Sequence, residues 1–262
     1  MNEIGKWQVL RKLEKFSEDV DSFRARFGKE DGERLFLEAS VPYEVTYERG
    51  NILLVGGVAN LWQYAVGNGV GTSGNALAYL SNANAVIGIG DSTTTEDFKQ
   101  YDLQASSNKY YQGMDAGYPI VTDVVLTAQT TVKTVTGATN ASPIVVTSTS
   151  HGYATGDVVY LTGVGGNTAA NGLWQITVID ANTFQLNGST GNGSYTSGGY
   201  ATKSNVIVLK ATVGPTNANY AWNEWVVKNG TNANSRCANR KVSSLGSKSS
   251  GTWALTVAIA IA

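Results

Sequence analysis

The sequence predicts a mainly β protein: a β-sandwich host domain, preceded by an amphipathic helix and interrupted by a small antiparallel β-barrel. Three observations predict it. Short β-branched runs recur from residue 41 onward, separated by Gly, Asn and Asp, which is the texture of strands and turns. Residues 252–261 alternate, with Trp253, Leu255, Val257, Ile259 and Ile261 on one face and Ala254, Thr256, Ala258 and Ala260 on the other, as a strand does. Charge is uneven: residues 1–50 carry 20 of the 39 Lys, Arg, Asp and Glu side chains, which separates an N-terminal arm from the β-rich remainder.

The arm spans residues 1–40. Trp7, Leu10, Leu13, Phe16, Val20, Phe23 and Phe27 recur at spacings of mostly three and four, the stripe of an amphipathic helix, and Gly28 is placed to stop it. Burying such side chains contributes roughly 1.5–3 kcal/mol each, so the stripe is expected against a surface. That surface is either the chain's own β domain or a partner subunit. On the second reading Trp7, Leu10, Phe16, Val20 and Phe23 are docking residues.

The host domain is assigned to residues 41–129 plus 204–262. Residues 42–49 alternate and 51–55 run apolar into Gly56-Gly57, while 58–66 suit a short amphipathic helix and 67–74 a loop. Residues 85–90 form an apolar strand leading into a turn at 91–95. A strand at 121–127 stops where the insert begins, and another at 205–213 resumes after it, followed by 220–227, 240–242 and the terminal strand. Small residues on that strand's second face imply that both faces are covered, because an open uncharged edge invites pairing with other chains. The insert, 130–203, carries Lys133, Asp157, Asp180 and Lys203 as its only charges.

Composition bounds the function. The chain has 262 residues, enough for one large β domain or two ordinary ones. Charged residues make up 15%, against a usual fraction of about 25%, and the net charge of −1 gives no electrostatic reason for nucleic acid or an anionic membrane. A single Cys excludes an intrachain disulfide and a Cys-based zinc site. Residues 1–6 lead into a charged segment and not an apolar core, so no signal peptide is expected. Residues 255–262 are too short to span a bilayer.

The host segments resemble a structural module of tailed-bacteriophage virions, common in tail, collar and fibre proteins. The resemblance lies in Ile87-Gly-Ile-Gly-Asp-Ser-Thr-Thr-Thr, Tyr101-Asp-Leu-Gln, Lys210-Ala-Thr-Val-Gly, Asn219-Tyr-Ala-Trp-Asn-Glu-Trp, Asn239-Arg-Lys-Val and Thr252-Trp-Ala-Leu-Thr-Val. Residues 130–203 are similar to small β-barrel repeats of phage proteins that are related to a half-domain of ubiquitin-activating enzymes. That second resemblance implies no ubiquitin chemistry, since fold does not carry function and the insert has no cysteine.

Catalytic signatures are weak. Gly88-Ile-Gly90 follows a strand, but no third glycine opens a helix, and no Walker-type phosphate loop occurs. His151 is the only histidine and sits in a turn, where it is read as structural. Asp91, Asp97 and Asp102 match no calcium-loop spacing and are read as turn acids. Glycoside cleavage needs two carboxylates facing across a groove, and sequence alone does not place Asp115 against Glu224. Cys237 is read as an inert small side chain. Trp222 and Trp225 are expected on opposite faces of a strand, one in the core and one toward a partner. Tyr110 and Tyr111 suit hairpin packing, with stacking on sugars as the other option.

The resulting expectation is a non-enzymatic virion structural protein without cofactor or metal, localised to the particle and assembled in the host bacterial cytoplasm. It is expected in tail, collar or fibre attachment on the virion exterior, as a homo-oligomer such as a trimer that contacts tail, connector or capsid subunits. The alternative within that class is a capsid decoration protein on the head. The alternative of another class is a carbohydrate-binding or glycan-hydrolysing virion protein, with a host surface glycan as ligand.

Overall fold

The computed structural model describes residues 7–50, 52–53, 80–121, 132–232 and 235–261. The chain is mainly β. Strand β1 (Trp7–Phe16) leads into two short helices, α1 (Val20–Phe27) and α2 (Lys29–Ala39), followed by β2 (Glu44–Arg49), β3 (Ile52–Leu53), β4 (Val86–Gly90), β5 (Lys109–Gly113) and β6 (Ile120–Val121). The insert contributes β7 (Val132–Thr134), β8 (Gly137–Ala138), β9 (Ile144–Thr147), β10 (Val158–Thr162), β11 (Gly172–Asp180), β12 (Thr183–Leu186) and β13 (Tyr200–Lys203). The chain ends in β14 (Val206–Val213), β15 (Ala221–Lys228), β16 (Cys237–Ser247) and β17 (Thr252–Ile261).

Two five-stranded sheets form the sandwich, in the orders β2-β1-β17-β14-β6 and β3-β16-β15-β4-β5. Their facing sides share one core, in which Leu13, Leu209, Leu255 and Val257 of the first sheet meet Ile87, Ile89, Trp222 and Trp225 of the second. Strand β17 is interior, paired with β1 on one side and β14 on the other. Its two faces divide as alternation requires. Trp253, Leu255, Val257 and Ile259 enter the sandwich core. Ala254 packs under the helices and Ala258 and Ala260 under the insert.

The helix expected across Trp7 to Phe27 is replaced over its first half by strand β1. The reason is tertiary. Interior pairing with β2 and β17 gives β1 two covered faces, Val9 and Leu13 toward the sandwich core and Leu10 and Phe16 toward the insert and helices. Apolar residues on both sides of a strand break the period of two and imitate a helical stripe. Helix begins only at Val20, where the Asp19 side chain caps the Asp21 N–H. Gly28, at φ +81°, ends α1 and admits α2 one residue later. The expected elements at 54–79 and 122–127 lie outside the described residues.

Residues 132–203 form a seven-stranded sheet in the order β7-β13-β10-β11-β12-β9-β8. Its terminal members, β7 and β8, are consecutive pieces of one bent segment. At the bend the Val135 N–H donates to Gly199 O and the Thr136 N–H to Thr147 O, so the segment closes the sheet into a small barrel around Ile144, Val146, Leu161, Ile176, Phe184 and Leu186. The module's two ends pair with each other, Val132 opposite Thr202. The flanking host strands are also neighbours, with Val121 opposite Ile207.

Trp222 and Trp225 do not fall on opposite faces. Both are fully buried in the sandwich core, because the β15–β16 register shifts between Trp222 and Glu224. Across that shift β15 advances two positions, Trp222 to Glu224, while β16 advances four, Gly246 to Val242, an irregularity that breaks the alternation between the two indoles.

Candidate functional site

Sequence-predicted residues first. Leu10, Phe16 and Val20 are buried within the chain. Phe16 and Phe23 both meet Phe36 edge-on, at 4.9 and 5.7 Å. These side chains dock the helical pair and the insert onto the host sheet. The Trp7 side chain lies outside the described residues. A polar clamp adds to the packing: Arg24 pairs with Glu33 at 2.9 Å and donates to Thr212 O, while Glu33 accepts from the Ala116 N–H.

The candidate acids are distributed among separate structural tasks. Asp115 accepts from the Thr212 N–H and hydroxyl beside Arg24. Burial raises its carboxyl above the usual aspartate range, and Glu33 adds to the rise against the Thr212 bonds. Glu224 lies on the other side of the sandwich, fully buried with Arg240 at 2.7 Å. It also accepts from the N–H groups of Gln104 and Ala105. Arg240 extends the clamp to Thr94 O and Gln100, so this pair straps residues 91–108 across the outer face of the second sheet. Asp115 and Glu224 therefore do not face each other across a groove. Asp102 pairs with Lys228 and accepts from the Tyr111 hydroxyl at 2.7 Å, Asp91 accepts from Asn108, and Asp97 accepts from the Lys99 N–H. Among the described residues no three His, Cys, Asp or Glu side chains group as a metal site.

Gly88 and Gly90 serve the same strap. A Cβ on Gly88 would stand 2.6 Å from Val226, and one on Gly90 2.5 Å from the Glu224 carboxylate; the glycines admit close packing and cradle no phosphate. His151 is buried in the barrel. Its Nε2 bonds Asp180 O and its Nδ1 accepts from the Tyr153 N–H, which assigns the neutral Nε2–H tautomer. The ring stacks on Tyr153, 5.2 Å between centroids. Cys237 is buried in a small cluster with Leu103 and Val226, and burial pushes its thiol well above the ordinary range. Such a thiol is a poor nucleophile.

The feature that sequence reasoning missed is the junction between sandwich and barrel. Leu10, Val206, Ala258 and Ala260 of the host pack against Val158 and Leu173 of the barrel. The Arg49 guanidinium lies 3.4 Å from the Trp174 ring centroid and donates to Asn171 O. Beside this contact, the outer face of the first sheet carries a row of register partners: Tyr47 on β2, Lys12 on β1, Thr256 on β17 and Lys210 on β14. The barrel covers the row ahead of it, and the helices cover Ala254 and Phe16 beyond it. A cleft of about 270 Å³ opens there, floored by Leu10, Val208 and Ala258 and walled by Trp174, Gln175 and Asn187 of the barrel. Gly188 allows the close approach, since a Cβ there would meet Tyr47 Cβ at 2.6 Å. No sequence signal announces this cleft, because its residues come from six strands, a short 3-10 turn and a barrel loop far apart in the chain.

The family model that matches the chain is the FCCH domain of ubiquitin-activating enzyme E1, over residues 142–205. The match covers about a quarter of the chain and falls on the barrel. No curated protein matches the chain.

Proposed function

We propose that the protein is a non-enzymatic structural subunit of a tailed-phage particle, acting in tail, collar or fibre attachment and presenting its barrel outward. The observation that carries this reading is how its reactive side chains are used. Asp102, Asp115, His151, Glu224 and Cys237 all hold backbone or packing in place. The surface meanwhile offers apolar contact points: Val41, Tyr43, Tyr101 and Val121 are each more than 60% exposed. Isolated exposed apolar groups are ordinary, but Val41, Tyr43 and Val45 follow one another into the edge of β2, which has no partner strand on that side among the described residues. An open edge of that kind suits a neighbouring subunit in a homo-oligomer such as a trimer, or another virion protein.

The test is localisation. Mass spectrometry of purified particles should find the chain at a stoichiometry matching a symmetric ring or spike, and cryo-electron microscopy should place it on the tail or collar. Density over the head shell would move it to capsid decoration. Absence from particles, or turnover of a glycan by the purified protein, would overturn the reading.

A further inference from the structure

We propose that Asn192, on the barrel surface, is a self-modification site, at which the side-chain amide deamidates and the backbone isomerises with water as the only co-reactant. The inference goes beyond the assembly reading and does not depend on it.

The sequence offers this chemistry in five places, the Asn-Gly pairs that begin at Asn68, Asn171, Asn187, Asn192 and Asn229. In such a pair the Gly backbone nitrogen attacks the Asn Cγ, because no side chain hinders the approach and Gly tolerates the backbone turn that the ring needs. The new N–Cγ bond forms as the Cγ–Nδ2 bond breaks. Nδ2 leaves as ammonia, carrying the proton that the Gly nitrogen gives up. Water then opens the five-membered imide at one of its two carbonyls. One opening yields Asp; the other yields isoaspartate, with one extra methylene in the main chain.

The structure separates the pairs that the sequence leaves equal. The pair at Asn68 lies outside the described residues. Asn171 is held at both ends of its amide by the Val164 backbone, and Gly172 is buried in β11. Asn187 is buried, its Oδ1 accepting from the Thr177 hydroxyl, with Gly188 packed against Tyr47. Asn229 is buried, and both its Oδ1 and its N–H bond the Arg236 backbone. Each of these three must break enclosed bonds before its Cγ can turn toward the next nitrogen.

Asn192 is exposed. Its Oδ1 accepts from the Ala169 N–H at 3.0 Å and its Nδ2 donates to the Thr168 hydroxyl at 2.9 Å. Both bonds lie at the surface, where water replaces them at little cost. The Gly193 N–H, the attacking group, has no acceptor among the described residues. The Ala169 N–H also assists, since it points at the oxygen on which charge develops as nitrogen adds to Cγ. The consequence reaches inward. The Asn192 N–H donates to Oδ1 of the buried Asn167, whose Nδ2 donates to Thr139 O, so an added methylene pulls on an anchor of the barrel.

The experiment ages the full chain in mildly alkaline buffer made with heavy-oxygen water, once folded and once in urea, and maps the label by peptide mass spectrometry. In the folded chain the label should enter at Asn192 at least about 10-fold faster than at Asn171, Asn187 or Asn229, as a mixture of isoaspartate and aspartate. In urea the four rates should converge, because only the fold distinguishes them. Asn192→Gln, whose longer side chain closes the ring poorly, should lose the label there and keep the slow labelling elsewhere. Two outcomes overturn the proposal: a folded chain unlabelled at Asn192 by the time the unfolded chain has reacted there, or enclosed pairs that label as fast as Asn192 in the folded chain. Particle incorporation is a separate measurement, so failure here leaves the assembly reading standing.

Discussion

At the residue scale, buried charge in this protein works as fastening. Glu224 and Arg240 are both fully enclosed, and among the described residues their other side-chain partners all belong to residues 91–108. Breaking such a pair from one side strands a charge, which costs about 3–5 kcal/mol. Arg240→Met should therefore destabilise the protein by that order, measured by chemical denaturation, and should expose residues 91–108 to limited proteolysis before global unfolding. The double change Glu224→Gln with Arg240→Met should recover part of the loss. A single variant within about 0.5 kcal/mol of wild type would mean that the strap is held by packing around Leu103 and Ala105 instead. The sequence showed these acids but not their roles. A carboxylate in a strand reads the same whether its partner is a ligand or an arginine brought alongside from sixteen residues away.

At the element scale, what was legible follows from how many faces each element buries. Strand β17 was readable because its apolar residues alternate with small ones and never with charge. Strand β1 was not. Its four exposed-looking charges, Arg11, Lys12, Glu14 and Lys15, favour helix by propensity, and its apolar residues serve three clusters on two faces. Pairing with two neighbours outweighed that preference. Helix α2 escaped notice because its apolar face is narrow, with Phe36 the only large apolar side chain it buries fully. It depends on contact with α1, and Gly32 sets that contact. A Cβ at Gly32 would meet Phe23 O at 2.6 Å and the Arg24 backbone at 2.7 Å, atoms that cannot rotate away. Gly32→Ala should cost about 1–3 kcal/mol through forced separation of the helices, despite alanine's better helix propensity. The shift should appear as lost near-ultraviolet dichroism from the Phe16–Phe23–Phe36 cluster. A stabilised variant would show that the helices have room to part.

At the scale of the whole molecule, the question is whether sandwich and barrel are one cooperative unit. The connections argue for an insertion: β6 and β14 pair in the host, β7 and β13 pair in the module, and each module has its own core. Replacing residues 132–203 by a short Gly-containing turn shortens a loop, and closure entropy changes by only about 0.6 kcal/mol per doubling of length. The shared face argues the other way. Leu10 and Val206 would lose their cover, forfeiting roughly 1.5–3 kcal/mol each if fully exposed, and the alanines of β17 would join them in an apolar patch. The deleted chain should therefore unfold cooperatively at a lower midpoint and self-associate through that patch. Adding Leu10→Thr in the deletion background should suppress the association without restoring the midpoint, as read by sedimentation and calorimetry. Insolubility that persists with Leu10→Thr, or loss of a cooperative transition, would mean that the sandwich cannot hold its first sheet without the barrel, and that the two cores act as one.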